Sequence, residues 1–233
     1  MIKKWIMEKA KTCGADLCGF APVERFDNAP PDFHPRDIFQ HCRTVVVLAK
    51  RLPSGLIESD TAVPYTYFNQ ITTQMLDGIT LQLAVLLEEK GIHSIPVPSD
   101  DPYDFWNDEQ QRGKGILSLR HAGYLAGLGL MGRNTLLTTA TFGNMVRLSA
   151  LLVDTSINGD TVMEGAFCPP ECRICIDRCP GNALDGVTVV QKQCRLHAYV
   201  TAGRNFKLMQ CYECRRACPF SDGFDLSKIS AEA

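Results

Sequence analysis

The sequence predicts a mixed α/β (α+β) core followed by a small C-terminal cysteine domain. Three observations predict it. Two runs rich in β-branched and aliphatic residues, 44–50 and 147–154, read as strands buried on both faces. One long segment, 71–90, has helical apolar spacing. Eight of the eleven cysteines fall between Cys168 and Cys218.

The elements follow in order. Residues 2–12 predict a helix with Ile2, Trp5 and Ile6 on one face. Residues 16–22 read as a short strand closed by Pro22, and 24–36, with Pro30, Pro31 and Pro35, as loop. Strand 44–50 comes next. In the 71–90 helix Ile71, Met75, Ile79, Leu83, Leu86 and Leu87 share a stripe, and Gly91 stops it. A short edge-like segment, 94–98, leads into 99–114, a polar, aromatic-bearing loop long enough to be a lid. A helix over 118–126, a glycine turn and strand 147–154 complete the core. The chain divides into a core over 1–160 and a cysteine domain over 161–233.

The composition excludes several classes. Of 233 residues, 45% are hydrophobic and 21% charged, enough to bury a core and unlike a disordered chain. A net charge of -2 argues against a polyanion-binding surface over the whole chain, while allowing a local patch. No apolar run approaches the roughly 18 residues needed to span a bilayer. Lys3, Lys4, Glu8, Lys9 and Lys11 leave no room for a signal-peptide core. The expected setting is cytoplasmic, with no membrane contact.

In such a setting dense thiols read as metal or cluster ligands rather than disulfides. The first half of the cysteine region is Cys168-x3-Cys172-x2-Cys175-x3-Cys179-Pro180. The second is Cys194, sixteen residues, then Cys211-x2-Cys214-x3-Cys218-Pro219. Two-cluster ferredoxins share the C-x2-C-x3-C-P ending, and their fourth cysteine serves the other cluster. The pattern therefore predicts two [4Fe-4S] clusters. Crosswise ligation gives Cys168, Cys172, Cys175 and Cys218 to one, and Cys179, Cys194, Cys211 and Cys214 to the other. Proline after the last cysteine turns the chain away from the cluster. The extra residue after Cys168 makes it the least typical ligand. Two structural zinc sites are the alternative, although zinc knuckles do not need the x3-C-P ending. Cys13, Cys18 and Cys42 match no ligand spacing and read as small buried apolar residues.

Gly127-x-Gly129-x-x-Gly132 matches the dinucleotide fingerprint in letters, with Asp154 about twenty residues on. The context differs, because a helix precedes the glycines and an extended segment follows. The turn either joins helix to strand or lets the backbone approach a large ligand closely, with Arg133 and Asn134 as polar contacts.

The order helix, Ala126-Gly-Leu-Gly-x-x-Gly-Arg-Asn-Thr-Leu-Leu, strand ending Leu-Val-Asp154, then a two-cluster cysteine region resembles the epoxyqueuosine reductase family. It is also similar to the related cobalamin-dependent reductive dehalogenases. The resemblance covers roughly 116–220. It implies a nitroreductase-like core, a ferredoxin-like cysteine domain, and cobalamin as the cofactor that the clusters reduce. By position, Gly127, Gly129, Gly132, Arg133, Asn134 and Thr135 would line the corrin site, with Arg120 in the preceding helix. Two departures stand out. Gly113 occupies the position of the family's proton-donating aspartate, and Asp108 and Glu109 are out of register. The helical-repeat extension of tRNA-modifying members does not follow the clusters, which with the negative charge argues against tRNA as substrate.

Asp32-Phe-His34-Pro-Arg-Asp37 is similar to a D-x-H-x-x-G cobalamin box without its glycine and reads as loop polarity. His197, between two ligands, either tunes a cluster by hydrogen bonding or is simply solvated. The resulting expectation is an iron–sulfur oxidoreductase. It takes electrons from a low-potential donor of ferredoxin or flavodoxin type and reduces a small or nucleoside-like substrate through a cobalamin-type cofactor. The alternative is a ferredoxin-like electron-transfer protein with no substrate of its own.

Overall fold

Four antiparallel strands carry the core. The computed structural model describes residues 1–229, so the last four residues of the predicted cysteine domain lie outside the described residues. The chain runs α1 (Ile2–Cys13), β1 (Leu17–Pro22), α2 (Pro35–Ile38), β2 (Thr44–Arg51), α3 (Ala62–Glu88) and β3 (Ser94–Val97). It continues with β4 (Phe105–Asn107), β5 (Arg112–Lys114), α4 (Leu119–Leu125), β6 (Leu130–Met131), β7 (Leu137–Thr138) and β8 (Val146–Val153). The main sheet has the order β1-β2-β8-β3, and every neighbouring pair is antiparallel. The core is therefore α+β rather than a doubly wound parallel sheet.

Alternation along β2 explains why its apolar run is continuous. Val46 and Leu48, with Phe20, Leu151 and Val153, face Ile6 of α1 and Leu76, Leu83 and Leu87 of α3. Val45, Val47 and Ala49, with Leu148, Ala150 and Leu152, face Ala122, Ala126 and Leu128 in α4 and the glycine turn. Both faces are covered, so no polar position is required in the central strands.

The long helix begins at Ala62, well before the predicted residue 71, with the Thr61 hydroxyl accepting from Val63 N–H. Its first half hides from an apolar-periodicity reading because Asn69 and Thr72 occupy buried positions. Pro64 sits in the first turn, where its missing N–H costs nothing. Deeper in, Thr80 donates to the Leu76 carbonyl at 2.7 Å and lies 2.6 Å from the Ser149 hydroxyl of β8.

Segment 99–114, predicted as loop, contains the β4–β5 hairpin, with Tyr103 stacked on Trp106 at 6.0 Å. The cysteine region contributes α5 (Ile174–Asp177), α6 (Gln191–Ala198), β9 (Tyr199–Thr201), β10 (Lys207–Met209) and α7 (Glu213–Arg216), with α5 packed on α7. It is fastened to the core at two seams. Tyr212 stacks against Tyr65 of α3 at 4.3 Å beside Leu52 and Met145. On the other side Phe224 N–H donates to Ala140, and Phe167 stacks on Phe224 at 5.0 Å.

Candidate metal centre

The fold gathers the eight clustered cysteines into two sets of four. Cys168, Cys172, Cys175 and Cys218 line one hollow, whose remaining wall includes Gly132, Arg133 and Asn134 of the core. Within this set Cys168, Cys172 and Cys175 act on Cys218. Cys194 and Cys211 are each influenced by Cys179, and Cys214 by Cys194 and Cys211. Cys175 also acts on Cys214, so the sets are neighbours. None of the eleven cysteines is in a disulfide.

Local structure aims the sulfurs. Two four-residue helices, α5 and α7, carry Cys175 and Cys214 at equivalent positions in the two halves. A backbone N–H, that of Ala183, donates to Cys179 sulfur at 3.3 Å, and the backbones at Arg133, Glu213 and Phe220 favour the thiolates of Cys168, Cys211 and Cys218. Burial pushes the Cys214 and Cys218 thiols up to about 11, and raises Cys168, Cys175, Cys194 and Cys211, with neighbouring sulfurs adding to the effect. Thiolates in this environment need positive charge placed among them, which bound metal supplies while releasing protons.

The donor set is all sulfur, which selects soft metals. Among the described residues no three His, Cys, Asp or Glu side chains converge on the position of one ion. A tetrahedral zinc would need sulfurs about 2.3 Å from a single point. The first set stands around a hollow, an arrangement that suits a polynuclear core with a metal at each corner. One further atom fits such a group: Nη1 of Arg215, next to Cys214, is buried and without a hydrogen-bond partner.

The predicted corrin-lining residues are engaged inside the protein. A Cβ on Gly127 would stand 2.4 Å from the Thr161 carbonyl oxygen, and one on Gly129 2.2 Å from that of Thr138. The close approach these glycines permit is made by the chain's own backbone. Residues 132–136 close a tight turn in which Thr135 adopts φ 62°. Arg120 donates to the Thr135 carbonyl, and to its hydroxyl at 2.9 Å. Arg133 donates to the Pro170 carbonyl. Asn134, only 3% exposed, donates from Nδ2 to the Cys214 carbonyl at 3.0 Å, and its Oδ1 accepts from Leu136 N–H. Chain packing and internal hydrogen bonds thus account for the glycines and for several polar groups of Arg120 and the 127–135 turn, and the turn joins the core to the cysteine region.

Other singled-out residues have local roles. His34 and Asp37 cap α2 reciprocally, which accounts for the near-match to a cobalamin box. Asp154 hydrogen-bonds His93 at 3.0 Å. His197 is exposed on α6. Burial pushes the Cys18 thiol up to about 12 and Cys42 up to about 11, as expected of packed rather than reactive thiols. Gly113 pairs with Trp106 in the hairpin, and its N–H donates to Gln191 Oε1 of α6 at 3.2 Å. Arg195, beside Cys194, lies 4.7 Å over the Trp106 ring, so the hairpin rests on the second set. Sequence reasoning missed Arg215, Gln191 and Arg195. Arg215 lay in view inside C-x2-C-x3-C-P, but ligand spacing says nothing about the residues between ligands.

No protein-family model matches the chain. It is similar to epoxyqueuosine reductase from Bacillus subtilis (strain 168), 28% identical over 264 aligned positions that cover 96% of this chain and 64% of that protein. The chain spans less than two thirds of the length of the curated relatives it matches. An epoxyqueuosine reductase solved with an epoxyqueuosine-modified tRNA-Tyr stem loop superposes with TM-score 0.65 at 19% identity, covering 97% of this chain and 67% of that one. The catabolic reductive dehalogenase NpRdhA, in complex with 3-bromo-4-hydroxybenzoic acid, gives TM-score 0.71 at 17% identity over 94% and 32%. Another reductive dehalogenase, solved in connection with B12-dependent dehalogenation, gives 0.70 at 18% over 92% and 31%. At these identities the structural likenesses establish a shared fold. Among the described residues no helix is long and apolar enough to cross a membrane.

Proposed function

We propose that the chain is an iron–sulfur reductase of the epoxyqueuosine reductase type, holding two [4Fe-4S] clusters. The observation that carries this reading is the gathering of Cys168, Cys172, Cys175 and Cys218 around one hollow, with Cys179, Cys194, Cys211 and Cys214 forming the second set. A four-iron cube takes four thiolates, and the ferredoxin pattern exchanges the last cysteine between halves. Bound there, the clusters supply one-electron transfer at low potential.

The chain's own residues do the positioning. The 132–136 turn forms part of the first hollow and, through Asn134, fixes the backbone at Cys214. The Ala183 N–H stabilises negative sulfur at Cys179, and the hairpin with Trp106 covers Arg195 beside Cys194. In this reading residues 1–160 form a nitroreductase-like core and 161–233 a ferredoxin-like domain. Electrons come from a ferredoxin- or flavodoxin-type donor, and a reducing cytoplasm suits cysteines of which none is in a disulfide.

A cobalamin-type cofactor is part of the proposal. Its support is the likeness to the dehalogenases and epoxyqueuosine reductases rather than the glycine turn, so no step is assigned to it. The charge of the chain argues against tRNA, whereas a protein of the same fold was solved with a tRNA stem loop. A modified stem loop therefore belongs beside small nucleoside-like compounds in any substrate screen. Anaerobic isolation with iron, sulfide and cobalt quantified together tests the reading. It requires about eight irons per chain, and hydroxocobalamin should bind stoichiometrically with a base-off spectrum. Zinc in place of iron overturns the reading.

A further inference from the structure

Arg215 is half-buried, and its Nη1 is fully buried without an assigned partner. Its Nη1 makes no hydrogen bond, and the neighbouring acid, Glu213, lies 3.7 Å from Arg216 instead. The other cation nearby is Arg120, whose guanidinium donates to Thr135. Burial, with the charge of Arg215 added, pushes the Arg120 guanidinium down from its ordinary value. A guanidinium does not give up its proton in a protein. Arg215 and Arg120 thus act on each other as like charges, and neither is ion-paired to a carboxylate among the described residues.

The negative charge available to them is on sulfur. Arg215 directly follows Cys214, a member of the second set, on α7, and its buried Nη1 has no protein acceptor. At the first hollow the guanidinium of Arg133 has a protein acceptor, the Pro170 carbonyl, whereas Arg215 Nη1 has none. Cluster potential depends on net charge and on hydrogen bonds to the sulfurs. Reduction adds one electron, which a buried cation stabilises strongly.

Resting on the two-cluster reading, we propose that Arg215 donates its buried Nη1–H to a sulfur of the second cluster and, with Arg120 behind it, makes that cluster the first to accept an electron. An electron entering at the first cluster then passes to the second without loss of driving force. No bond is made or broken; each cluster gains one electron, supplied in a titration by dithionite.

The test is a mediated potentiometric titration of the anaerobically reconstituted full chain, followed by EPR. Two one-electron steps are expected. Arg215→Met should move the step at higher potential to more negative values and leave the other in place. Arg215→Lys, which keeps the charge without the fork, should fall between. If Arg215→Met retains less iron than the parent, Arg215→Gln provides the same reading. A Met or Gln variant that moves neither step, or moves only the lower one, overturns the proposal. So does a dependence of the steps on added phosphate that Arg215→Met abolishes, since the guanidinium would then serve a soluble anion. Parent protein with markedly fewer than about eight irons would instead deny the two-cluster reading itself.

Discussion

Asn134 of the core donates its side-chain amide to the backbone carbonyl of Cys214 at 3.0 Å. This one bond joins the turn after the glycines to the second set of thiols, while the same turn walls the first. The cysteine region is thus seated on the core at the point where its two sets meet.

Asn134→Ala removes that bond and the Oδ1 that accepts from Leu136 N–H, leaving buried backbone groups without partners. The expected cost is about 1–3 kcal/mol in folding stability, read by denaturant unfolding under anaerobic conditions. Iron release to a chelator should accelerate for one cluster and not the other. Asn134→Asp, which keeps an acceptor but sets a carboxylate against the Cys214 carbonyl, should release iron at least as fast.

Gly129→Ala places a Cβ 2.2 Å from the Thr138 carbonyl oxygen. We expect destabilisation of about 1–3 kcal/mol from overpacking, present in the apo chain and unchanged by adding hydroxocobalamin. A variant of parental stability whose cobalamin binding alone is lost would place this glycine in a ligand wall.

Thr80 and Ser149 are 1% and 0% exposed. Because Thr80 gives its proton to Leu76, Ser149 donates to Thr80. Thr80→Val should therefore cost about 1–3 kcal/mol by orphaning the Ser149 hydroxyl. Adding Ser149→Ala should recover part of the loss, giving a non-additive cycle in urea unfolding. Strict additivity would remove the pairing from the account.

Legibility in the sequence followed physical cause. Strands β2 and β8 were readable because a strand covered on both faces needs apolar residues throughout. The start of α3 was not, because Asn69 and Thr72 take buried positions that apolar counting skips. The hairpin at 105–114 is largely exposed and shows no alternating pattern to betray it. The glycine turn was read partly as a ligand approach because the carbonyls it packs against, Thr138 and Thr161, are identified only by the fold. The cysteine spacing puts the proposed ligand chemistry in view, whereas Arg215 stands out only through the burial of its Nη1, which spacing does not encode.

Crosswise holding of two cubes is the central claim, and serine substitution tests it most directly. Cys168→Ser and Cys218→Ser, fifty residues apart in the chain, should each retain about four irons where the parent holds about eight, and Mössbauer and EPR spectra should show the same surviving cluster in both. Surviving clusters that differ between the two variants, with Cys218→Ser sparing the cluster that Cys168→Ser destroys, would contradict the account.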